Sequence, residues 1–198
     1  MENLKEYSIA VKNFAANGIP YLFHNKGNEH ALIIFENLFI NAKSEIRIAA
    51  NMLYNDEVVN TKTYIDAMRY FLDRRNSRLL IIITNRPPVI AVKGHDKETS
   101  FYWMLYNHPA YKNGRVVIKE GAGYYFRGDG GQQVNFCTCD SKMYRYESDI
   151  YQRKAEANFN DEYETIKLEN KFNEVYKSLQ EVRLEDFFEE EIEKNERA

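Results

Sequence analysis

Leu79-Leu80-Ile81-Ile82-Ile83 is an unbroken apolar run, bounded by Arg78 on one side and by Thr84-Asn85-Arg86-Pro87-Pro88 on the other. Such a run leaves neither face to water, so it reads as a strand covered on both sides, as in a parallel sheet. Upstream of it, Tyr64, Ile65, Met68, Phe71 and Leu72 recur at helical spacing and predict a helix over 61–76 with one face packed inward. Glu45–Ala50 reads as a shorter strand. Before it, Leu32, Phe35, Phe39 and Ala42, widened by Ile33, Ile34 and Leu38, predict a largely buried helix over 28–44. Downstream, 101–106 reads as a third helix and Arg115–Lys119 as a third strand. Helix and strand alternate, which is an α/β pattern.

The remainder of the sequence bounds what this core can belong to. A length of 198 residues suits one domain with small appendages. With 44% hydrophobic and 29% charged residues and only 9 Gly and 4 Pro, collagen-like, low-complexity and disordered readings are excluded. Lys plus Arg is 27 against 30 for Asp plus Glu, a net charge of -3, so there is no global attraction to nucleic acid or anionic lipid. Any phosphate binding has to be local. The start, MENLKEYSIAVKNF, has neither the basic opening nor the apolar centre of a secretory signal. The longest apolar runs, of which Ala31–Phe35 is one, fall far short of the roughly 18–20 residues that span a bilayer. No membrane segment and a cytoplasmic location are expected. The only cysteines, Cys137 and Cys139, are two residues apart, where a disulfide on an extended strand would be strained.

Residues 4–16 read as a helix ended by Asn17-Gly18, and 1–27 as an N-terminal helix and linker. Gly121–Gln133 holds five of the nine glycines and reads as a flexible loop or hairpin extension, placed where it could cover a site. Val134–Cys139 and Met143–Glu147 then form a hairpin about Asp140-Ser141-Lys142. Period-two alternation puts Gln133, Asn135, Cys137 and Cys139 on one face, either as a polar pocket mouth over a thiol pair or as small core residues of a covered strand. Cys-x-Cys supplies two metal ligands and nothing completes four, so no metal is expected. The glycines match neither dinucleotide nor P-loop spacing, so no cofactor is expected. A helix over 161–179 carries Leu168, Phe172, Val175 and Leu179 on one stripe. The last segment, 181–198, is acidic, with Leu184, Phe187, Phe188 and Ile192 at helical spacing; it reads as a frayed tail or a partner-binding helix.

This element order resembles one half of the phospholipase D-like fold, a superfamily of phosphodiesterases, nucleases and transferases. The likeness covers roughly residues 30–180 and is carried by Ala42-Lys43-Ser44-Glu45-Ile46-Arg47-Ile48, by Ala67–Thr84, by Val134–Asp140, and by Asn158-Phe159-Asn160-Asp161 through Phe172-Asn173-Glu174-Val175-Tyr176. It implies a mixed sheet flanked by helices over 28–180. It also implies an active site assembled from two halves; this chain has length for one, hence an expected homodimer. The family pattern is His-x-Lys, four residues, Asp, six residues, Gly-Ser, and an Asn two positions after the Ser. Aligned on Asp140, those positions hold Gln133, Asn135, Asp140, Glu147, Ser148 and Ile150, so only Asp140 and Ser148 match. In the family the His attacks phosphorus and the Lys neutralises the developing charge, and two amides do neither job. Amides still hydrogen-bond to phosphate or carbonyl oxygens. The resemblance therefore implies a non-catalytic binding or assembly subunit with Gln133, Asn135, Asp140 and Ser148 as the candidate ligand pocket. Its expected partners are other proteins, or a nucleic acid held by a companion. The alternatives are a phosphodiesterase or nuclease using other groups, and a small-molecule sensor closed by the Gly121–Gly131 loop.

Two further features have competing readings. His95-Asp96-Lys97 contains a His-x-Lys triplet, but in a polar loop and without the required Asp, which favours coincidence. Arg74, Arg75, Arg78 and Arg86 are the densest basic cluster and the candidate phosphate clamp. The plainer account is that cations near a helix C-terminus complement its dipole, worth about 0.3–1 kcal/mol. Arg145 and Glu147 share a strand face and read as an ion pair.

Overall fold

The structure, a computed structural model, describes residues 3–87 and 100–189. The elements run α1 (Leu4–Asn17), β1 (Phe23–Lys26), α2 (Asn28–Asn41), β2 (Glu45–Ala50), α3 (Lys62–Leu72), β3 (Arg78–Ile83), α4 (Phe101–Asn107), α5 (Pro109–Lys112) and β4 (Val116–Glu120). They continue with β5 (Asn135–Cys139), β6 (Met143–Asp149), β7 (Lys154–Asn158), α6 (Glu162–Tyr176), β8 (Gln180–Glu181) and α7 (Asp186–Glu189). One eight-stranded sheet has the order β1-β7-β6-β5-β2-β3-β4-β8. Strands β2, β3 and β4 are parallel, whereas β5 runs antiparallel to β2 and opens an antiparallel run through β6, β7 and β1. The sheet is mixed, as the resemblance implies.

The unbroken apolar run occupies an interior strand and serves two cores. Leu79, Ile81 and Ile83 pack with Ile46, Ile48 and side chains of α1 to α4 on one face. Leu80 and Ile82 join Ala49, Phe136, Leu168 and Phe172 of β2, β5 and α6 on the other. That two-sided burial, worth about 1.5–3 kcal/mol per large side chain, removes any reason for alternation in the sequence. Helix boundaries follow local chemistry. Gly18 closes α1 at φ 59°, a conformation that costs glycine nothing, and the Thr61 hydroxyl accepts the Tyr64 N–H at 3.4 Å to start α3.

Three segments differ from the sequence reading. The stretch read as a linker contains β1, an edge strand antiparallel to β7, so residues 1–27 belong to the sheet as well as to α1. Strand β7 itself has no apolar signature beyond Ala155 and Ala157 among polar residues, which suffices because Ala157, opposite Phe23, is small enough to pack in the main core with Phe23 and Phe159. The start of the acidic segment is docked, neither frayed nor free: Val182, Leu184 and Phe187 are buried in the main core. Tyr111 fixes it, donating to Glu185 Oε2 at 2.7 Å and accepting from Leu184 N at 2.9 Å. Burial, with the Glu185 hydrogen bond, pushes the Tyr111 phenol up to about 12, so it remains a donor across the neutral range. His95 and Ile192 lie outside the described residues. No helix among the described residues is long and apolar enough to cross a membrane.

Candidate functional site: a pocket at the carboxyl end of strand β2

The chain leaves the carboxyl end of β2 towards β3, while β5 flanks β2 on its other side. Where neighbours of a parallel strand diverge in this way, the sheet leaves a crevice beyond the strand end, the usual ligand position in open α/β sheets. A pocket of about 200 Å³ lies there. Its walls come from Asn51–Asn55 after β2, from Asn135 and Cys137 on β5, from Arg145 and Glu147 on β6, and from Phe35 on α2.

The β5–β6 register creates the polar wall. Asn135 lies opposite Glu147 and Cys137 opposite Arg145. Asn135 Nδ2 donates to Glu147 Oε2 at 2.9 Å, and Arg145 Nη2 pairs with Glu147 Oε1 at 3.2 Å. Arg145 is 3% exposed, and its guanidinium lies 4.8 Å from the centre of the Phe35 ring. A charge buried to this degree is tolerable only beside its counter-ion. The wall is nevertheless incompletely satisfied: Arg145 Nε is buried without a partner, and behind the wall so are Asn25 Nδ2 and Tyr64 Oη, which do not line the pocket. Burial pushes the Tyr64 phenol well up, helped by Cys137 and opposed by nearby Arg145. Two lining residues carry backbone strain as well. Leu53 and Arg153 have φ of 48° and 51°, a region that costs non-glycine residues about 1 kcal/mol or more and that gathers at functional sites.

Of the residues expected to form one pocket, Asn135 lines it. Gln133 precedes β5 and bridges to Arg127 instead. Ser148 lines a neighbouring groove beside β1, with its hydroxyl 3.4 Å from Lys154 O. Asp140 is at the far end of β5. Oδ1 accepts from Ser44 N, Ser44 Oγ and Glu45 N at 2.9, 2.7 and 2.8 Å, and Oδ2 accepts from Lys43 N at 2.6 Å. Burial alone would raise this carboxyl, and the donors from Glu45, Lys43 and Ser44 outweigh it and hold it below the ordinary carboxylate value. The correction has a geometric cause. A spacing of five between Asn135 and Asp140 spans the whole strand, more than about 10 Å at 3.3 Å per residue, so the two cannot share a small pocket. Ser141 next to it donates its hydroxyl to Glu169 Oε2 at 2.7 Å, and Glu169 also holds Arg47 at 2.6 Å. The turn end of the hairpin is thus a structural clamp.

The arginine cluster also divides. Arg78 and Arg86 lie at opposite ends of β3, more than about 15 Å apart along the strand. Arg86 pairs with Glu120 at 2.8 Å, while Arg74 donates to Ile40 O at 2.8 Å and stacks on Tyr70; Arg75 is exposed. Arg145 is the functional candidate that sequence reasoning left as an ion pair. Its signal was a charge on the same strand face as the buried Cys137, with Tyr144 and Tyr146 on the other. Cys137 and Cys139 are free thiols, 1% and 0% exposed, on an interior strand. No metal-binding group of three or more His, Cys, Asp or Glu occurs among the described residues.

No model of a known protein family matches the sequence, and no curated protein does. Solved structures do match. TrmBL2, an archaeal chromatin protein with a novel mode of DNA binding, superimposes with TM-score 0.59 at 14% identity, over 90% of this chain and 62% of that one. Nuc from Salmonella typhimurium, a phospholipase D family member, gives TM-score 0.56 at 13% identity, over 83% of this chain and 99% of that one. NucT from Helicobacter pylori gives 0.52 at 11%, over 82% and 100%. The fold is phospholipase D-like. This chain corresponds to the full length of Nuc and NucT, and to about three fifths of TrmBL2.

Proposed function

We propose that the chain is a non-catalytic phospholipase D-like binding module that takes its ligand in the pocket beyond β2 and assembles as a homodimer. The observation that carries this reading is the Asn135–Glu147–Arg145 wall. The position the resemblance gives to the charge-neutralising Lys is Asn135, and its amide is bonded to a carboxylate that a phosphoryl group would repel. The position of the nucleophile is Gln133, which bridges to Arg127 away from the pocket. The superposition takes in 99% of Nuc and 100% of NucT, and a phospholipase D-like unit of that size is, by the resemblance, one half of a two-half site, which supports the dimer. The DNA binding described for TrmBL2 makes nucleic acid the first macromolecular ligand to test.

The test is hydrolysis of bis-nitrophenyl phosphate and plasmid DNA by purified protein, with light scattering on the same sample. No cleavage and a dimer mass are expected. Cleavage that disappears in Asn135→Ala or Cys137→Ser would establish the rival reading, an enzyme with a different catalytic set, and a monomer mass would remove the dimer.

A further inference from the structure

The amino ends of β2, β3 and β4 and the β5–β6 turn meet at the end of the sheet opposite the pocket. Arg78 N donates to Ser44 O at 2.8 Å, Leu79 N to Arg115 O at 2.8 Å and Asp140 N to Glu45 O at 2.9 Å, so four strand ends stand side by side there. The segments 41–47, 73–78, 112–115 and 140–142 that build this end hold eight cationic side chains and three carboxylates, and Asp161 and Glu169 beside them make five. In a chain of net charge -3 this is a local surplus of three positive charges. The C-termini of α1, α2 and α3 offset about half of it, at about −0.5 charge each, which leaves the end positive. The carboxylates are committed. Asp140 serves the N–H groups of residues 43–45, Glu45 and Glu169 hold Arg47, Asp73 lies 3.2 Å from His108, and Asp161 caps α6. Lys43, Arg75, Lys112 and Lys142 are exposed, and none of them forms an ion pair among the described residues. Arg78 reaches Glu45 only at 3.9 Å. At the pocket end, by contrast, Arg86 and Arg153 are each paired with a carboxylate.

The order of strands turns these cations into a row. Lys142 on the β5–β6 turn, Lys43 before β2, Arg75 and Arg78 before β3 and Lys112 before β4 follow the sheet order β5-β2-β3-β4. Neighbouring strands are about 4.8 Å apart, so the row runs about 14 Å. Lys43 and Lys142 line one groove. A row of cations at strand spacing suits a row of anions at regular spacing: one strand of a DNA duplex presents a phosphate per about 3.4 Å of axis, and about four fall within that length. Exposed Ser44, Asn76 and Asn113 lie among the cations, and these residue types bond to phosphate and sugar oxygens. A membrane surface calls for apolar side chains in those places. Helix-end complementation accounts for Lys112, in the last turn of α5, and does not account for Lys142, on a strand turn. The pocket of about 200 Å³ is too small for a duplex, so a nucleic acid needs another surface.

We infer that the amino end of the parallel strands binds the phosphate backbone of duplex DNA, without reading its sequence, through Lys142, Lys43, Arg75 and Lys112. The inference rests on nucleic acid being a ligand of this chain and assigns it a surface distinct from the pocket.

The experiment is fluorescence anisotropy of a labelled DNA duplex titrated with the full chain at several salt concentrations, with a duplex of unrelated sequence and phosphatidylserine vesicles as parallel arms. Both duplexes are expected to bind equally, with a log–log salt slope of about −3 to −4 for about four phosphate contacts. Lys43→Gln combined with Lys142→Gln should make the slope shallower by about 2 and weaken binding at least about tenfold at about 0.1 M salt. Arg75→Gln combined with Lys112→Gln, further along the row, should do the same, so the result stands even if one pair folds poorly. Lys26→Gln combined with Lys154→Gln removes the same charge from the opposed ends of β1 and β7 on the pocket side, beyond about one Debye length from the row, and should leave binding within about twofold. Equal weakening by all three pairs, or weakening by the Lys26 and Lys154 pair alone, would overturn this surface and leave nucleic acid as a ligand. Binding to vesicles and to neither duplex, or no duplex binding at about 50 mM salt, would overturn the inference and the nucleic-acid reading together. The proposed non-catalytic role fails separately, through phosphodiester cleavage.

Discussion

Asp140 and Ser44 lie 96 positions apart and are joined twice, the Ser44 N–H at 2.9 Å and its hydroxyl at 2.7 Å both donating to Asp140 Oδ1. This aspartate fastens the β5–β6 turn to the start of β2, and it does so from a backbone conformation of φ 54° that non-glycine residues rarely adopt. A residue that matches a catalytic pattern by spacing thus acts as a structural staple.

Replacing Asp140 by Ala should remove at least about 2 kcal/mol of stability, since the Lys43, Ser44 and Glu45 N–H groups lose a charged acceptor together. Urea unfolding measures this. Ligand binding by the folded variant should be unchanged, because the staple and the pocket occupy opposite ends of β5.

The same carboxyl sets an acid limit. Its folded value is depressed, so its contribution is complete above the unfolded carboxylate value near about 3.9 and is lost as pH falls through the lower folded value. The stability difference between wild type and Asp140→Asn should be flat from neutral pH down to about 5 and shrink towards zero only as pH falls below the unfolded value and through the depressed folded one. A difference that grows on acidification would contradict the assignment.

Two ion pairs should behave very differently. Glu147→Gln leaves the Arg145 charge buried and should cost about 3–5 kcal/mol, whereas Arg153→Ala breaks an exposed contact with Glu57 and should cost less than about 1 kcal/mol. Chemical denaturation of the two variants side by side decides it.

Both thiols should be silent in the native protein. Burial, and then the hydrogen bond its S–H donates to Cys137, push the Cys139 thiol well up. A maleimide at neutral pH should label neither cysteine until denaturant is added, after which both react. Rapid native labelling of either one would place that residue at the surface.

The order of elements from α2 to β4 was legible because strands buried on both faces and amphipathic helices leave strong periodic traces, as in Leu79–Ile83 and Tyr64–Leu72. Strand β7 left none, since Ala155 and Ala157 are small and are placed by the larger residues around them. Asn135, singled out by aligning the family pattern on Asp140, does line the pocket. Arg145 was not legible as a site residue, because a charge on a strand normally faces water, and only the register opposite Cys137 shows that it faces inward. Asp140 does not share that pocket, because linear spacing records the order of residues along a strand and not which of them meet at one end.

The β5–β6 ribbon divides its tasks by length. At the turn, Asp140 and Ser141 are tied to Ser44 and Glu169; at the open end, Asn135, Arg145 and Glu147 face the pocket. Sites more than about 7–10 Å apart with no shared partners contribute nearly additively to stability. The open end is therefore free to be rewritten, provided Arg145 and Glu147 are exchanged as a pair, while the anchored end keeps the sheet in register. A protein engineer could treat this hairpin as a cassette with one fixed terminus and one interchangeable pocket-lining end.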